Sequence, residues 1–144
     1  MVCLGNICRS PLAEGILRSK VNQDEVYVDS AGTAAYHVGE LPDIRSINIA
    51  QKYGIDLTYQ RARKFVVEDF EKFDVIYTMD EDNHHHVLSL ARDERETQKV
   101  KMILNELHFE QSCNVPDPYY GGNEGFERVY KMLNDACEII VNKL

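Results

Sequence analysis

Near the start of the chain, Cys3 and Arg9 are separated by five residues, and Ser10 follows directly. A turn of about seven residues that leads into a helix can direct several backbone N–H groups inward, which creates a concave site for an anion. The positive end of the helix dipole lies at the same place, and the planar guanidinium of an arginine matches two phosphate oxygens at once. Because this positive field also favours the thiolate form of a cysteine, the segment predicts a nucleophilic sulfur at the base of an oxyanion site.

The residues within and after this segment favour such a turn. Gly5 allows the backbone to approach closely, and Asn6 tolerates the left-handed conformation that a tight turn demands. Ser10 is a favoured N-cap and Pro11 suits a first helical position, so we expect a helix to begin at Ser10. The spacing alone arises often by chance, so on its own it favours a free cysteine in an ordinary turn. Its place between an apolar stub and a helix start favours a function.

A second candidate for chemistry is Asp117, which stands between Pro116 and Pro118. The two prolines restrict the backbone on either side of this carboxyl group, which suits a side chain that must be positioned. A phosphate ester held beside Cys3 needs a proton for its leaving oxygen, and a carboxylic acid is a suitable donor. Taken alone, Asp117 is more often interpreted as a solvated turn residue.

Strand-like and helix-like segments alternate along the chain. Apolar or β-rich runs predict strands at residues 26–28, closed by residues 30–32, and within residues 73–79 and 100–104. Apolar residues at helical spacing predict helices from residue 10, from residue 44 to a stop at Gly54, after residue 79 to about 91, and over 126–141. Such alternation predicts a parallel sheet with helices on both faces, in which ligands lie outside the carboxyl ends of the strands. The Cys3–Ser10 segment follows the stub Met1-Val2, which is shorter than the ~5–6 residues of a usual strand.

Length and composition indicate one globular domain, which we assign to residues 1–144. The 16 basic and 24 acidic side chains give a formal charge of -8. We expect no nucleic acid partner, because a protein needs a basic field to displace the counterions of the nucleic acid backbone. No apolar run approaches the ~20 residues that span a bilayer, so we expect no membrane partner. No apolar targeting segment follows Met1, which predicts a cytoplasmic location, where the four cysteines are expected to be catalytic or buried thiols.

These residues resemble one family, the low-molecular-weight protein tyrosine phosphatases. Its phosphate-binding loop is matched at every position by Cys3-Leu4-Gly5-Asn6-Ile7-Cys8-Arg9-Ser10-Pro11, and its general-acid loop by Asp117-Pro118-Tyr119-Tyr120-Gly121. Further similar segments lie between them, so the resemblance covers nearly the whole chain. It implies an α/β fold with a four-stranded parallel sheet of order 2-1-3-4, flanked by helices on both faces. The phosphate-binding loop would lie at the C-terminal end of strand 1, with no metal and no cofactor.

The resemblance also implies hydrolysis of aryl phosphomonoesters, with phosphotyrosine-containing proteins as substrates, in two steps. The Cys3 thiolate attacks phosphorus while the amides of residues 4–9 and the Arg9 guanidinium hold the non-bridging oxygens. Asp117 protonates the departing phenolate and then activates the water that releases phosphate from the phosphocysteine. Ser10 donates a hydrogen bond to the sulfur, and Asn6 holds the loop through its side chain.

Substrate contacts follow from the same resemblance. They are assigned to Leu4, Gly5, Asn6, Ile7, Cys8 and Ser10 in the loop and to Tyr36 and Tyr119 on the rim, where His37 also matches a wall position. Apolar and aromatic walls favour a phenyl phosphate long enough to reach Cys3, which selects phosphotyrosine over the shorter phosphoserine. In the family Cys8 forms a reversible disulfide with Cys3 that protects it from over-oxidation; its alternative role is that of a small buried residue.

Some residues depart from the family pattern or invite another interpretation. Tyr59-Gln60 stand where the family more often has a histidine in the polar network beneath the phosphate-binding loop. Without that histidine, other side chains must supply the hydrogen bonds that support the loop. Residues 84–86 are consecutive histidines, which point in three directions on a helix, so a solvated face is favoured over a metal site. Cys113 and Cys137 match no family role, and Cys137 lies on the apolar stripe of the last helix, where we expect core packing.

Three other functions stay open as alternatives. An arsenate reductase needs resolving cysteines for a thiol relay, but Cys113 and Cys137 are far along the chain and Asp117 would have no role. A phosphoarginine phosphatase tends to carry threonine at the position of Ile7, so the isoleucine in this chain weighs against that activity. A phospho-carrier module with a cysteine loop would not need both Arg9 and a distant Asp117. The sequence carries no signal for an oligomeric state.

Overall fold

The computed structural model describes residues 1–107 and 114–144, and within them four parallel strands form one sheet. The strands are β1 (Val2–Cys3), β2 (Ala31–Gly32), β3 (Ile76–Thr78) and β4 (Val100–Met102). Their order across the sheet is β2-β1-β3-β4, which confirms the order that the resemblance implied. Because β1 pairs with β2 on one side and with β3 on the other, the strand that ends at Cys3 lies in the middle of the sheet.

Helices cover both faces of this sheet. They are α1 (Arg9–Lys20), α2 (Ile44–Lys52), α3 (Asp69–Lys72), α4 (Glu81–Leu90), α5 (Glu94–Gln98) and α6 (Asn123–Lys143), with a 3-10 helix at Ile103–Glu106. Cys3 packs in a hydrophobic cluster with residues of α1 and α6, whereas its neighbour Val2 packs in another with residues of α3 and α4. Successive side chains of a strand point to opposite faces, so the two clusters lie on opposite sides of the sheet, as predicted. Within residues 1–107 and 114–144, no helix is long and apolar enough to cross a bilayer.

Two of the predicted strands differ in extent. Residues 26–28 are not a strand, because only Ala31–Gly32 pair with β1, while the Val26 N–H donates to the Asn22 carbonyl in a turn. The fourth strand ends at Met102 rather than at residue 104, since the backbone then turns into the 3-10 helix. The sheet is therefore built from very short strands, and the loops after them carry much of its hydrogen bonding.

The backbone around Cys3 is held from both sides. The Met79 N–H donates to the Val2 carbonyl at 3.0 Å, and the Thr33 N–H donates to the Cys3 carbonyl at 2.9 Å. The helix after the loop begins at Arg9, one residue earlier than predicted, and has no side-chain cap. The Ser10 hydroxyl, which we expected to cap it, instead lies 3.0 Å from the Cys3 sulfur.

A buried polar network ties α1 to two neighbouring segments. Glu14 is 3% exposed, and its carboxylate accepts hydrogen bonds from the Ser30 hydroxyl at 2.8 Å and the Tyr59 hydroxyl at 2.6 Å. Burial raises the pKa of Glu14 above the ordinary 4.5, although the hydrogen bonds from Tyr59 and Ser30 favour its ionised form. Burial and the contact with Glu14 also raise the pKa of Tyr59 to about 12. The carboxyl group of Glu14 is therefore harder to ionise in the folded protein than in the unfolded chain.

This difference predicts a pH-dependent contribution of Glu14 to stability. A raised carboxyl pKa means that the folded state holds the proton more tightly, so the contribution is full below pH 4.5 and is lost as the pH rises through the raised value. Glu14→Gln removes the titration and keeps an oxygen acceptor. The free energy of unfolding of the wild type, relative to that of Glu14→Gln, should fall as the pH rises from 4.5, as measured by urea denaturation.

Glu124→Gln is the control, because Glu124 is exposed in the first turn of α6. The wild type and Glu124→Gln should show the same pH dependence. A difference between wild type and Glu14→Gln that stays constant, or that grows in favour of the wild type with pH, would contradict the inference about Glu14.

Candidate active site

The thiol of Cys3 lies at the base of the loop formed by residues 3–9. The residue is 2% exposed, and its sulfur accepts a hydrogen bond from the Asn6 backbone N–H at 3.3 Å and contacts the Ser10 hydroxyl. Helix α1 begins at the end of the loop, so the positive end of its dipole faces the same region. An N–H donor and the positive end of a helix dipole at one place are features of an anion-binding loop.

Asn6 holds the loop in shape. Its backbone adopts the left-handed conformation that we predicted, with a φ of 57°. Its side-chain amide donates to the Ser10 hydroxyl at 2.7 Å and to the Ser30 hydroxyl at 3.0 Å, and its side-chain carbonyl accepts from the Arg63 N–H at 3.0 Å. The Asn6 side chain therefore links Ser10 to two segments that are distant in sequence, at Ser30 and Arg63.

The departure from the family pattern at Tyr59-Gln60 does not leave this loop unsupported. The Tyr59 hydroxyl donates to Glu14, whose carboxylate accepts from the same Ser30 hydroxyl that contacts Asn6. Gln60 is buried, and its amide donates to the Pro11 carbonyl at 2.9 Å. A phenol and an amide thus complete the network where the family more often has a histidine.

Arg9 is almost fully buried, with carboxylates from two other loops around its guanidinium. Nη1 donates to Asp80 Oδ2 at 2.6 Å and to the Val115 carbonyl at 3.0 Å, while Nη2 lies 3.7 Å from Asp117 Oδ2. Burial opposes the positive charge, but the Cys3 sulfur and the Asp80 carboxylate outweigh it and raise the pKa of Arg9. The guanidinium is therefore a permanent cation in a fixed orientation.

Asp117 reaches the same place from the loop that precedes α6. Its side chain is 39% exposed, and its Oδ1 accepts a hydrogen bond from the Tyr119 N–H at 3.1 Å. The start of this loop is attached to the sheet, because the Val115 N–H donates to the Met79 carbonyl at 2.8 Å, directly after β3. Since β3 is the neighbour of β1, the two loops meet at the carboxyl edge of the sheet.

Cys8 is the second thiol of the loop and is also buried. Its carbonyl accepts a hydrogen bond from the Ser46 hydroxyl at 3.1 Å. Burial and, to a smaller extent, the Asp43 carboxylate raise the pKa of Cys8 to about 12. Cys8 is therefore a neutral thiol at physiological pH.

A cleft of about 210 Å³ joins these groups. It is lined by Cys3, Leu4, Gly5, Ile7, Cys8, Arg9, Tyr36, His37, Asp117, Tyr119 and Tyr120. Tyr36 is 75% exposed and stands at the rim, whereas Cys3 and Arg9 are buried. The His37 ring lies between those of Tyr36 and Tyr119, with centroids 6.5 and 6.4 Å away. Aromatic walls above a buried sulfur and a buried cation suit a flat ring that carries an anionic group at its end.

Most of the residues predicted at the site line this cleft, and the remaining two, Asn6 and Ser10, contact the Cys3 sulfur. Sequence reasoning missed two of their partners. Asp80 lies two residues after the end of β3, and an aspartate between a strand and the helix that it caps was a usable signal. Glu14 lies four residues after Ser10, so it shares a face of α1 with that residue.

The sequence analysis also singled out two further cysteines and a possible metal site. Cys137 is buried in the cluster between the sheet, α1 and α6, as predicted, and Cys113 lies outside the described residues. Among residues 1–107 and 114–144, no group of three histidine, cysteine, aspartate or glutamate side chains could hold a metal ion.

Comparison with known proteins identifies the family of the chain. Residues 1–144 match the family model described as low molecular weight phosphotyrosine protein phosphatase. The protein of that name from Schizosaccharomyces pombe is 40% identical over 142 residues, which cover 95% of this chain and 90% of the relative.

Two solved structures are similar over 99% of this chain. The protein tyrosine phosphatase from Entamoeba histolytica is 40% identical, with a TM-score of 0.89 over 92% of its own chain. The tyrosine phosphatase Wzb from Escherichia coli K30, in complex with sulphate, is 30% identical, with a TM-score of 0.85 over 94% of its chain. The chain therefore belongs to the low molecular weight phosphotyrosine protein phosphatases, a family of hydrolases.

Proposed function

We propose that residues 1–144 form one protein tyrosine phosphatase domain, which hydrolyses aryl phosphomonoesters through a phosphocysteine intermediate on Cys3. The observation that carries this proposal is the convergence, in one cleft, of the buried Cys3 thiol, the buried Arg9 guanidinium and the Asp117 carboxyl group. The similar tyrosine phosphatase from Escherichia coli K30 binds sulphate, a tetrahedral anion like phosphate, which supports an anion site in this chain as well.

In the first step the Cys3 thiolate attacks phosphorus, so that a P–S bond forms and the bond between phosphorus and the phenolic oxygen breaks. The N–H groups of the loop and the Arg9 guanidinium stabilise the charge on the non-bridging oxygens. Protonated Asp117 gives its proton to the departing phenolate. Asp80, the other carboxyl group beside Arg9, is less suited to this role, because it binds Arg9 at 2.6 Å and caps α4.

In the second step a water molecule attacks phosphorus, the P–S bond breaks and phosphate is released. The Asp117 carboxylate that the first step leaves behind accepts the proton of the water. The Ser10 hydroxyl accepts a hydrogen bond from Asn6, so its own proton is available to the Cys3 sulfur as that atom regains its negative charge. These steps use only side chains and backbone N–H groups of the chain and water, without metal or cofactor.

The cleft favours phosphotyrosine in protein substrates. Tyr36 and Tyr119 stand at the rim and Cys3 at the buried base, so a phenyl phosphate can extend from rim to sulfur, whereas the shorter phosphoserine cannot. Leu4, Gly5, Ile7 and Cys8 complete the surface against which the ring and the phosphate would lie. The formal charge of -8 disfavours acidic flanking residues, within the ~8 Å range that physiological salt leaves unscreened. A cytoplasmic location, without nucleic acid or membrane partners, stays a prediction from composition.

Removing the proposed nucleophile or the proposed acid has distinct expected results. Cys3→Ser should abolish turnover of phenyl phosphate, because a serine hydroxyl is not ionised at neutral pH. Asp117→Ala keeps the sulfur and the anion site, so it should still bind substrate while kcat falls by about 10²–10⁴-fold. Steady-state kinetics of both variants, recorded with and without a chelator, measure these effects.

The matched control is Asp135→Ala, since Asp135 is an exposed aspartate on α6, and it should keep the original rate. Near-normal turnover by Cys3→Ser would rule out the phosphocysteine. Loss of binding rather than of rate in Asp117→Ala would rule out its role as the acid. Phosphoarginine and arsenate, offered beside phenyl phosphate, test the alternative activities.

We also propose that Cys8 protects Cys3 against irreversible oxidation. Peroxide converts the Cys3 thiolate to a sulfenic acid, which the Cys8 thiol attacks to form a disulfide with release of water. Both residues are buried and line the same cleft, which supports their pairing. A thiol reductant then restores both thiols.

Activity after peroxide treatment should therefore return on addition of a thiol reductant in the original protein but not in Cys8→Ser, where Cys3 proceeds to higher oxidation states. Cys137→Ala, which removes another buried thiol outside the cleft, should recover like the original protein. Equal recovery by Cys8→Ser and the original protein would mean that Cys8 is only a small packing residue.

A further inference from the structure

The loop that carries Asp117 is attached to the rest of the protein on both sides of that residue. Before it, the Val115 N–H bonds to Met79 and the Val115 carbonyl accepts from Arg9. After it, the carbonyls of Tyr119 and Gly121 accept hydrogen bonds from one side chain, that of Arg45 in α2, at 2.8 and 3.0 Å. Both hydrogen bonds of the second attachment therefore come from a single guanidinium.

Arg45 is itself held in one orientation. The Asp43 carboxylate accepts from its Nε and Nη2, both at 3.0 Å, and also caps α2 by accepting from the Arg45 N–H at 2.8 Å. The guanidinium carbon lies 4.6 Å from the centroid of the Phe126 ring, in the first turns of α6. Hydrogen bonds from Arg45 lower the pKa of Asp43, so the pair remains ionic at neutral pH.

The same turn of α2 also holds the phosphate-binding loop. The Asp43 N–H donates to the Ile7 carbonyl at 2.8 Å, and the Ser46 hydroxyl donates to the Cys8 carbonyl at 3.1 Å. The first turn of α2 thus contacts the loop of the proposed nucleophile through its backbone and Ser46, and the loop of the proposed acid through Arg45. The first turn of α2 therefore links two segments that are more than a hundred residues apart in sequence.

We propose that Arg45, aligned by Asp43, is a positioning residue that sets the Asp117 carboxyl group at the distance proton transfer to the leaving oxygen requires. This inference rests on the proposed function, because it assumes that Asp117 is the acid. The Asp117 side chain is half-exposed, and its own hydrogen bond is to the N–H of Tyr119, the residue whose carbonyl Arg45 holds. Displacement of a reacting group by about 1 Å can cost 10²-fold in rate, so a flexible loop without this attachment would lose part of the acid catalysis.

A positioning role differs from general support of the fold in its dependence on the leaving group. A phenolate of high basicity needs a proton as it departs, whereas a dinitrophenolate leaves readily without one. Loss of Arg45 should therefore slow the cleavage of phenyl phosphate much more than that of 2,4-dinitrophenyl phosphate. A damaged cleft or a weakened fold would slow both.

The experiment compares kcat/KM of Arg45→Met for these two substrates. We expect a loss of about ten-fold with phenyl phosphate, a fraction of what general acid catalysis contributes, and of less than about two-fold with the dinitrophenyl ester. The inhibition constant of inorganic phosphate should stay unchanged, because the anion site is intact. Arg95→Met is the matched control: Arg95 is exposed on α5, and its replacement should alter neither rate.

Two further variants keep the proposal testable if Arg45→Met unfolds, which thermal denaturation detects. Arg45→Lys keeps the charge without the fork that reaches two carbonyls and Asp43, and Asp43→Asn weakens the alignment of Arg45. Both should show a smaller loss with the same preference for phenyl phosphate. Equal losses with both substrates, or no loss, would overturn the positioning role. If Asp117→Ala itself fails to discriminate between the substrates, the proposed acid is wrong; if it discriminates and the Arg45 variants do not, only this inference fails.

Discussion

The architecture of the site depends on the polar groups that surround one buried sulfur. A charge removed from water is costly unless hydrogen-bond donors and a favourable dipole replace the solvent. Around Cys3 lie the Asn6 N–H, which donates to its sulfur, the Ser10 hydroxyl, which contacts it, and the start of α1, with the buried Arg9 cation in the same cleft. The left-handed Asn6 and the start of α1 at Arg9 bring these groups together around the sulfur.

Groups distant in sequence meet in this cleft because parallel strands end at the same edge of a sheet. The loop after β1 contains Cys3, and the residues after β3 bind both Arg9, through Asp80, and the beginning of the Asp117 loop. These attachments are hydrogen bonds to backbone carbonyls and carboxylates rather than apolar packing. Because hydrogen bonds are directional, they set the distance between the two loops more sharply than contact between hydrophobic side chains would.

The network beneath the loop shows that one structural requirement can be met by different side chains. Asn6 needs partners that keep its backbone in the left-handed region, and Ser30, Glu14 and Tyr59 supply them through a chain of hydroxyl and carboxyl groups. Comparison with the family pattern, which more often has a histidine at Tyr59-Gln60, does not reveal that Tyr59 can take this role. The reason is that its acceptor, Glu14, lies on another element, α1. The cost is a buried carboxyl group that resists ionisation.

The sequence by itself determined the elements whose signals are local. The loop from Cys3 to Arg9, the helices with apolar residues at helical spacing and the conformation of Asn6 could all be predicted, and the strand order followed from the family resemblance. The strands were less predictable, because pairing with a neighbour rather than composition decides where a strand of two or three residues begins and ends. Only the tertiary structure decided which polar residues meet: Asp80 with Arg9, Glu14 with Tyr59, and Arg45 with the Asp117 loop. The physical reason is that a hydrogen bond is specified by the distance and direction of two groups in space, and spacing along the chain carries neither.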